Sequence, residues 1–328
     1  MKEQGYEALF ALLVLFVTTT THVEGGSPLS YEENWQREKE CGKVLRSKQF
    51  GGEWVHTASP WIASVASNIH STGIFVSRRH VLTDFAAMFL PDAPLRYAFD
   101  NATFDTSTCT DGAAPLRIDA VKGTYTYVAP CSKNEICSGR AYFPDHVTLL
   151  GNCNDADSTS GMILIEYNEE LSDQDVIPAC VPDEKIYDVG DSIVNSFVDY
   201  YDKPVWPKSA EMTIVECESK SSGDEFFCTG GGVACKDYPA QPFTKEVEGR
   251  TYAIGLAPKH DCNLPNDTTT ELAVHPYAEK LCKLAGICKK PREPEGKEQE
   301  EGALESGSRA TASLGVVVVF VYALFGID

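Results

Sequence analysis

The chain has 328 residues, of which 43% are hydrophobic, and its formal net charge at pH 7 is -20. This hydrophobic content excludes a disordered chain and is sufficient for one large all-β domain or two ordinary domains. The charge argues against a nucleic-acid partner, because phosphate binding requires clustered Lys and Arg, and the basic cluster at residues 289–292 runs directly into glutamates.

The N-terminus carries an apolar run that predicts a signal peptide. Residues 8–17, ALFALLVLFV, are uninterrupted and are followed by polar threonines. Ten such residues suit a signal-peptide core and are too few to cross a bilayer. We therefore predict a signal peptide over residues 1–25, with a buried core segment as the alternative. Asn101 and Asn266 begin glycosylation sequons that fit the secretory route.

The central part of the chain has the pattern of a β protein. Short runs rich in Val, Ile, Thr, Tyr and Phe alternate with Gly, Pro, Asp and Ser clusters between Phe50 and Gly255. This spacing predicts an antiparallel sandwich or barrel. One helix is predicted near the end: His275-Pro276 opens it, since proline suits a first helical turn, and Gly286 ends it.

The composition changes twice beyond this helix. Residues 289–308 are dominated by Pro, Glu, Gly and Ser without apolar periodicity, which predicts a solvated stalk. Residues 309–328 contain the apolar run LGVVVVFVYALFGI, and the small residues Ser306-Gly307-Ser308 precede it. Small residues, a spacer and an apolar tail are typical of a glycolipid-anchor signal, with attachment at Ser306. A short transmembrane helix is the alternative.

Four stretches of the chain resemble those of a known family. They are FGGEWVHTASPW, TGIFVSRRHVLT, GMILIEY followed by SDQDVIPACVP, and CKDYPAQPFTKEVEGRTYAIGLAPKHDC. Together they resemble the chymotrypsin-like (trypsin-type) serine proteases, in a divergent branch of the kind common in nematodes. The resemblance implies an all-β fold of two antiparallel six-stranded β-barrels with a C-terminal helix. It also implies a pro-like segment at residues 26–48 and a trypsin-like domain at 49–288, with barrels at about 49–175 and 176–288.

The catalytic positions of that family are altered in this chain. The resemblance places Ala86 at the histidine position, Gly161 (or Ser160, if the strand slips by one residue) at the aspartate position and Pro239 at the serine position. Neither alanine nor glycine carries a proton-accepting group, and proline removes both the nucleophile and one backbone donor to the oxyanion. The resemblance therefore implies a protein without peptidase activity.

Other family features are altered as well. Ser71 and Ala87 stand where the family has the disulfide that brackets its histidine. A rival alignment would place Thr229 near the nucleophile position, but Ala86 would still leave that hydroxyl without a base. His80 is the histidine nearest to the altered position, and we interpret it as a packed or surface residue. The histidine and cysteine spacings predict no zinc site, and no cofactor is predicted.

Twelve cysteines in a secreted chain predict disulfide bonds. Family positions imply three pairs, and two further cysteines at the end of the helix are placed to close a small loop: Cys41–Cys180, Cys217–Cys228, Cys235–Cys262, and Cys282 with Cys288. The remaining four have three possible connectivities, and they are Cys109, Cys131, Cys137 and Cys153. All four lie between Ala86 and Gly161, in a span that is either a decorated surface loop or a braced protrusion that binds a partner.

These observations lead to one functional hypothesis and two alternatives. The hypothesis is a secreted, membrane-tethered, catalytically inactive serine protease homologue on the extracellular face of the cell surface. It would bind an extracellular protein or peptide, as a decoy, a protease cofactor or an adhesion module. The alternatives are an active serine-type endopeptidase with relocated catalytic residues and a structural surface glycoprotein.

Overall fold

The computed structural model describes residues 26–43, 49–50, 53–54, 61–66, 70–90, 95–121, 125–128, 142–151, 153, 161–171, 176–199, 206–217, 224–230, 241–257 and 269–289. Of the two units into which the chain divides, Met1–Pro291 contains all of these residues. Most of them are in antiparallel strands, so the predicted all-β class is confirmed.

The strands fall into two groups along the chain. The first group comprises β1 (Gln49–Phe50), β2 (Glu53–Trp54), β3 (Ile62–Ala66), β4 (His70–Phe75), β5 (His80–Asp84), β6 (Ala113–Pro115), β7 (Tyr125–Val128), β8 (His146–Gly151) and β9 (Gly161–Glu166). The second comprises β10 (Ser192–Asp199), β11 (Trp206–Val215), β12 (Phe226–Gly230), β13 (Gln241–Val247), β14 (Arg250–Ala257) and β15 (Thr269–Ala273).

The second group forms a closed six-stranded barrel in the order β10-β11-β12-β15-β14-β13. Its hairpin between β13 and β14 turns at Glu248 and Gly249, whose φ angles are 52° and 73°. Two consecutive positive φ angles match the right-handed twist of paired strands. The barrel is therefore of the kind that the resemblance implies.

Strands β3 to β9 form one antiparallel sheet in the order β6-β8-β9-β5-β4-β3-β7. This sheet has seven strands where the prediction had six. The additional strand is β6, whose residues Ala113 to Pro115 pair with β8 on the outer side of the sheet. The fold class is consistent with the predicted chymotrypsin-like double barrel, and β6 is a short strand in addition to the six strands of the first half.

The described residues form three hydrophobic clusters in the interior. One lies in the first sheet and includes Phe75 and Phe89, and another lies in the barrel and includes Phe243. The remaining cluster combines residues of the first sheet, such as Met162, with residues of the barrel, such as Leu256. This shared cluster attaches the two sheets to each other.

Three α-helices lie among the described residues: α1 (Tyr31–Glu40), α2 (Ile118–Val121) and α3 (Ala278–Ala285). The predicted C-terminal helix is confirmed as α3, which follows a 3-10 turn at His275–Tyr277 and ends at Gly286 with a φ of 68°. The sequence analysis did not predict α1. Its signal was the capping box at Ser30 and Glu33, in which each side chain accepts a hydrogen bond from the backbone of the other residue.

Helix α1 is attached to the domain at several points. Cys41, directly after it, is bonded to Cys180. Asn34 Nδ2 and Arg37 Nη2 each donate a 2.9 Å hydrogen bond to the backbone oxygen of Cys288, beyond the end of α3. The described part of the predicted pro-like segment is thus joined covalently to the middle of the domain and by buried polar contacts to its C-terminal end.

Four disulfides join described cysteines: Cys41–Cys180, Cys109–Cys153, Cys217–Cys228 and Cys282–Cys288. Three of these are pairs that the sequence analysis expected, and Cys109–Cys153 is one of the connectivities that it left open. Cys131, Cys137, Cys235 and Cys262 lie outside the described residues.

Among the described helices, none combines the length and the apolar composition needed to cross a membrane. The predicted signal peptide at residues 1–25, the stalk from residue 290, Ser306 and the apolar tail at 309–328 lie outside the described part of the chain.

Candidate functional site

The position that the resemblance assigns to the catalytic histidine lies directly after β5. Asp84 ends this strand and caps a 3-10 turn over Phe85–Ala87, because its Oδ1 accepts a 2.7 Å hydrogen bond from the backbone N–H of Ala86. Ala86 is buried, with 8% of its surface exposed. Its methyl group has no atom that accepts or donates a proton.

Gly161 lies next to this turn because of the strand pairing. Asp84 in β5 pairs with Met162 in β9, which places Gly161 beside the 3-10 turn that contains Ala86. A Cβ on Gly161 would lie 3.1 Å from Leu149 Cδ1 and 3.2 Å from the backbone oxygen of Leu150. The sheet is therefore closely packed at this position around a residue without a side chain.

The structure brings together two of the three assigned positions. Ala86 and Gly161 lie side by side where the neighbouring inner strands β5 and β9 end, and this end of the first sheet is called the edge below. Pro239 and Ser160 lie outside the described residues. At the described edge there is no imidazole and no carboxylate at the positions assigned to the family's base and its orienting group.

Hydroxyl groups occupy the interior beside this edge. Ser71 Oγ lies 3.3 Å from Thr83 Oγ1, which also donates a hydrogen bond to the backbone oxygen of Thr72. Ala87, the other residue at the family's disulfide position, is fully buried. Small side chains and hydroxyl hydrogen bonds thus fill the space beside the 3-10 turn.

Thr229, the nucleophile position of the rival alignment, lies within β12. Its Oγ1 donates a 2.9 Å hydrogen bond to Glu271 Oε1 and is 2.8 Å from Thr269 Oγ1. Thr229 and Glu271 are both buried, so substrate has no direct access to this hydroxyl. Thr229 acts here as a cross-strand partner of β15.

His80 has partners that the sequence analysis did not predict. Ser77 Oγ is 2.7 Å from His80 Nδ1, and His80 Nε2 is 3.8 Å from Glu166 Oε2. Because Ser77 Oγ already accepts a hydrogen bond from the backbone N–H of Arg79, its own proton is available to Nδ1. The remaining ring proton of a neutral His80 then lies on Nε2, which faces Glu166.

This arrangement of hydroxyl, imidazole and carboxylate has the order found in serine hydrolases. All three side chains are buried, however, and the Ser77–His80 contact closes the turn between β4 and β5. Burial lowers the pKa of His80, and the nearby carboxylate of Glu166 partly opposes this shift. The interpretation of His80 as a packed residue agrees with this burial, and the S-x-x-H spacing was the missed signal for its partner.

A model of the nematode trypsin-6-like family matches residues 11–288, which is most of the chain. The chain belongs to this family. The match indicates a trypsin-like fold, in agreement with the barrel and sheet described above. A comparison with curated proteins gave no match.

The described residues of this trypsin-6-like protein contain no group of three or more His, Cys, Asp or Glu side chains that could hold a metal ion. Asn101, the first predicted glycosylation site, is exposed and sits in a turn with a φ of 57°. The second, Asn266, lies outside the described part of the chain.

Proposed function

We propose that this member of the trypsin-6-like family is a secreted, membrane-tethered protease homologue that has no peptidase activity and acts by binding a protein or peptide. The observation that carries the proposal is the buried methyl group of Ala86 at the position assigned to the general base. Loss of a nucleophile or base costs roughly 10⁴ to 10⁶ in rate.

Two further residues support the absence of catalysis. Gly161 offers no carboxylate to orient a histidine, and the sheet around it leaves little room for one. Pro239 provides neither a hydroxyl nor a backbone N–H. Restoring the catalytic side chain at one of the three assigned positions would therefore leave the groups at the other two positions missing.

The span between Ala86 and Gly161 supports a binding role. Phe99 and Phe143 expose 52% and 63% of their surfaces there. Aromatic residues, including phenylalanine, are enriched in protein interfaces relative to the rest of the surface. The Cys109–Cys153 disulfide braces the same span, which would limit the entropy lost when a partner binds.

An activity-based probe tests the absence of catalysis. The purified protein and an active trypsin are treated with a fluorophosphonate, which labels only an activated serine, and with a peptide ester. We expect labelling and turnover in trypsin alone. The Ala86→His/Pro239→Ser double variant should also have little activity, because Gly161 still lacks the carboxylate. Turnover that a serine-protease inhibitor abolishes would contradict the proposal.

The Ser77–His80–Glu166 arrangement favours one alternative, an active endopeptidase with relocated catalytic residues. If that alternative holds, the fluorophosphonate labels the protein and the Ser77→Ala variant loses the label. We expect Ser77→Ala and the original protein to be equally unlabelled, because Ser77 is buried.

Affinity capture separates the binding role from a purely structural surface glycoprotein. We expect the protein to retain one extracellular partner at a stoichiometric ratio, and the Phe99→Ser/Phe143→Ser variant to lose it. A surface glycoprotein without a partner would retain nothing specific in either form.

The tether is tested on cells that display the protein. Phosphatidylinositol-specific phospholipase C should release it, because the sequence around Ser306 has the composition of a glycolipid-anchor signal. Membrane-bound material that retains a peptide from residues 314–328 would support a transmembrane helix instead.

A further inference from the structure

A cavity of about 110 Å³ lies between α1 and the turn that joins β4 to β5. It is on a different part of the chain from the edge at Ala86 and Gly161. Three arginines and three glutamates are among the residues that line it: Arg37, Arg78, Arg79, Glu33, Glu40 and Glu170.

Arg37 is the most deeply buried of these arginines, with 5% of its surface exposed. Its Nε donates to Asn34 Oδ1 at 2.8 Å, and its Nη2 donates to the backbone oxygen of Cys288 and to Glu38. Its Nη1 is buried and has no hydrogen-bond partner within the described structure. The bonded side of the guanidinium holds the group in place, and the Nη1 donors are unused.

Arg78 and Arg79 repeat this pattern on the other side of the cavity. Arg78 Nη2 donates to Glu40 Oε2 at 3.1 Å, and Arg79 Nη2 donates to the backbone oxygen of Ser27 at 2.7 Å. The Nε atom of each is buried without a hydrogen bond, and that of Arg79 lies 3.7 Å from Glu33 Oε1. Each of the three guanidinium groups thus has a buried nitrogen without a hydrogen bond, although Arg79 Nε lies in an ion pair with Glu33 and 39% of the Arg78 side chain is exposed.

Such donors indicate an anionic ligand. A buried donor without a partner is unfavourable, and hydrogen bonds from a guanidinium to a carboxylate or phosphate oxygen are stronger than those between neutral groups. The glutamates decide between these anions, because each arginine already has one beside it. Glu38 is paired with Arg37, Glu40 with Arg78 and Glu33 with Arg79. Glu170 adds a further negative charge. A singly charged carboxylate is therefore favoured over a doubly charged phosphate.

We propose that this cavity binds a carboxylate group, with Arg37 as its central donor and Arg78 and Arg79 beside it. The carboxylate comes either from a small free acid or from the C-terminus of a peptide. The site is independent of the proposed partner-binding span, so it adds a ligand to this protein rather than identifying that partner.

Titration of the purified protein with acetate tests the site. Acetate should bind saturably in the millimolar range and shift the ¹⁵N guanidinium resonance of Arg37, whereas acetamide, which has the same shape without the charge, should do neither. Phosphate should bind at least tenfold more weakly than acetate. A response without saturation, an equal response to acetamide, or tighter binding of phosphate would overturn the proposal.

Substitutions assign the binding to these residues. Arg37→Lys keeps the charge but removes Nη1 and should weaken acetate binding at least tenfold, because charge-assisted hydrogen bonds are the strong ones. Arg79→Gln, which leaves the contacts of Arg37 with Asn34 and Cys288 intact, should weaken it as well. The matched control is Arg117→Lys, at an exposed arginine paired with Asp100, which should change binding less than twofold. Unchanged binding in both cavity variants would refute the assignment.

A pair of peptides distinguishes the two sources of carboxylate. A tripeptide with a free C-terminus is compared with the same peptide amidated. Binding of acetate alone supports a small free acid, and additional binding of the free-acid peptide but not the amide supports a chain terminus. If neither acetate nor the free-acid peptide binds, the cavity is filled by water alone and the proposal is wrong.

Discussion

The junction between α1 and the end of α3 differs in kind from the edge at Ala86 and Gly161. At the junction, Asn34 and Arg37 bind the backbone of Cys288, which is 254 residues away from Asn34 in sequence, through buried and directional hydrogen bonds. At the edge, the assigned catalytic positions carry a methyl group and a hydrogen atom. One region is rich in specific polar contacts, and in the other the two assigned positions carry no side chain suited to proton transfer.

The difference indicates that the contacts that hold this fold together are separate from the positions that the resemblance assigns to catalysis. The shared hydrophobic cluster and the junction attach the first sheet, the barrel and both ends of the domain to one another. None of these contacts involves Ala86 or Gly161. The contacts that hold this trypsin-like fold together therefore do not require catalytic side chains at the two assigned positions, since function resides in the site and not in the fold.

The largest expected effect is at the disulfide that attaches α1. The double variant Cys41→Ala/Cys180→Ala opens a link across 139 residues, and the chain-entropy relation predicts a loss of about 5 kcal/mol in the free energy of unfolding. The control is Cys282→Ala/Cys288→Ala, which spans 6 residues and should cost about 2 kcal/mol. Urea unfolding of the three proteins measures both values.

Equal losses in these two variants would mean that the junction is held by its hydrogen bonds rather than by the long covalent link. A loss confined to the short loop would contradict the role assigned to Cys41 and Cys180.

The second effect tests the hydrogen bonds of the junction directly. Asn34→Ala removes contacts with both the N–H and the carbonyl of Cys288, and it leaves Arg37 Nε without its acceptor. We expect a loss of about 2–3 kcal/mol in the free energy of unfolding, because buried donors and acceptors would be left unpaired. Lys39→Ala, on the exposed side of the same helix, should cost about 0.5 kcal/mol or less. Similar values for both variants would show that the junction contacts add no stability.

The sequence predicted the barrel better than it predicted the junction. Short apolar or alternating runs indicate buried strands, so the sequence of β9 was recognised as a strand. Pro276 and Gly286 marked the two ends of the terminal helical segment. Helix α1 was missed because its apolar content is low, and its stability comes from a capping box and from contacts with residues far away in sequence. Single-sequence patterns do not report such long-range contacts.

The candidate site was predictable only through the resemblance. Motif spacing assigned Ala86 and Gly161, and the strand register then placed them side by side. The partners of His80 illustrate the limit: Ser77 is three residues away and could have been inferred, whereas Glu166 approaches only through sheet pairing. The cavity arginines were not predicted at all, because Arg37 and Arg78 are adjacent only after α1 docks.

The third effect is expected at the edge itself. Gly161→Ala places a Cβ 3.2 Å from the backbone oxygen of Leu150, which the sheet holds in place. We expect a loss of about 1–3 kcal/mol in the free energy of unfolding, as for other overpacked positions. Gly230→Ala is the matched control, because its Cβ would meet only the side chain of Val215, which can adjust. Thermal unfolding compares the two, and an equal or larger loss at Gly230 would contradict the close packing inferred at Gly161.

The smallest effect concerns the pH dependence of stability. Burial lowers the pKa of His80 below the value of about 6.5 that the unfolded chain has, while Glu166 and Glu33 oppose the shift and Arg79 adds to it. Below about pH 6.5 the unfolded state therefore binds a proton that the folded state does not bind, and the free energy of unfolding falls as the pH falls. One such proton contributes a slope of up to about 1.4 kcal/mol per pH unit.

The variant His80→Asn tests this dependence. It retains an acceptor near the position of Nδ1 for Ser77 but does not titrate, so its slope between about pH 6.5 and 5 should be smaller. His275, whose pKa is also lowered by burial, is unchanged in both proteins and does not affect the difference between them. Urea unfolding at several pH values gives the two slopes, and identical slopes would show that His80 is not the group that protonates on unfolding.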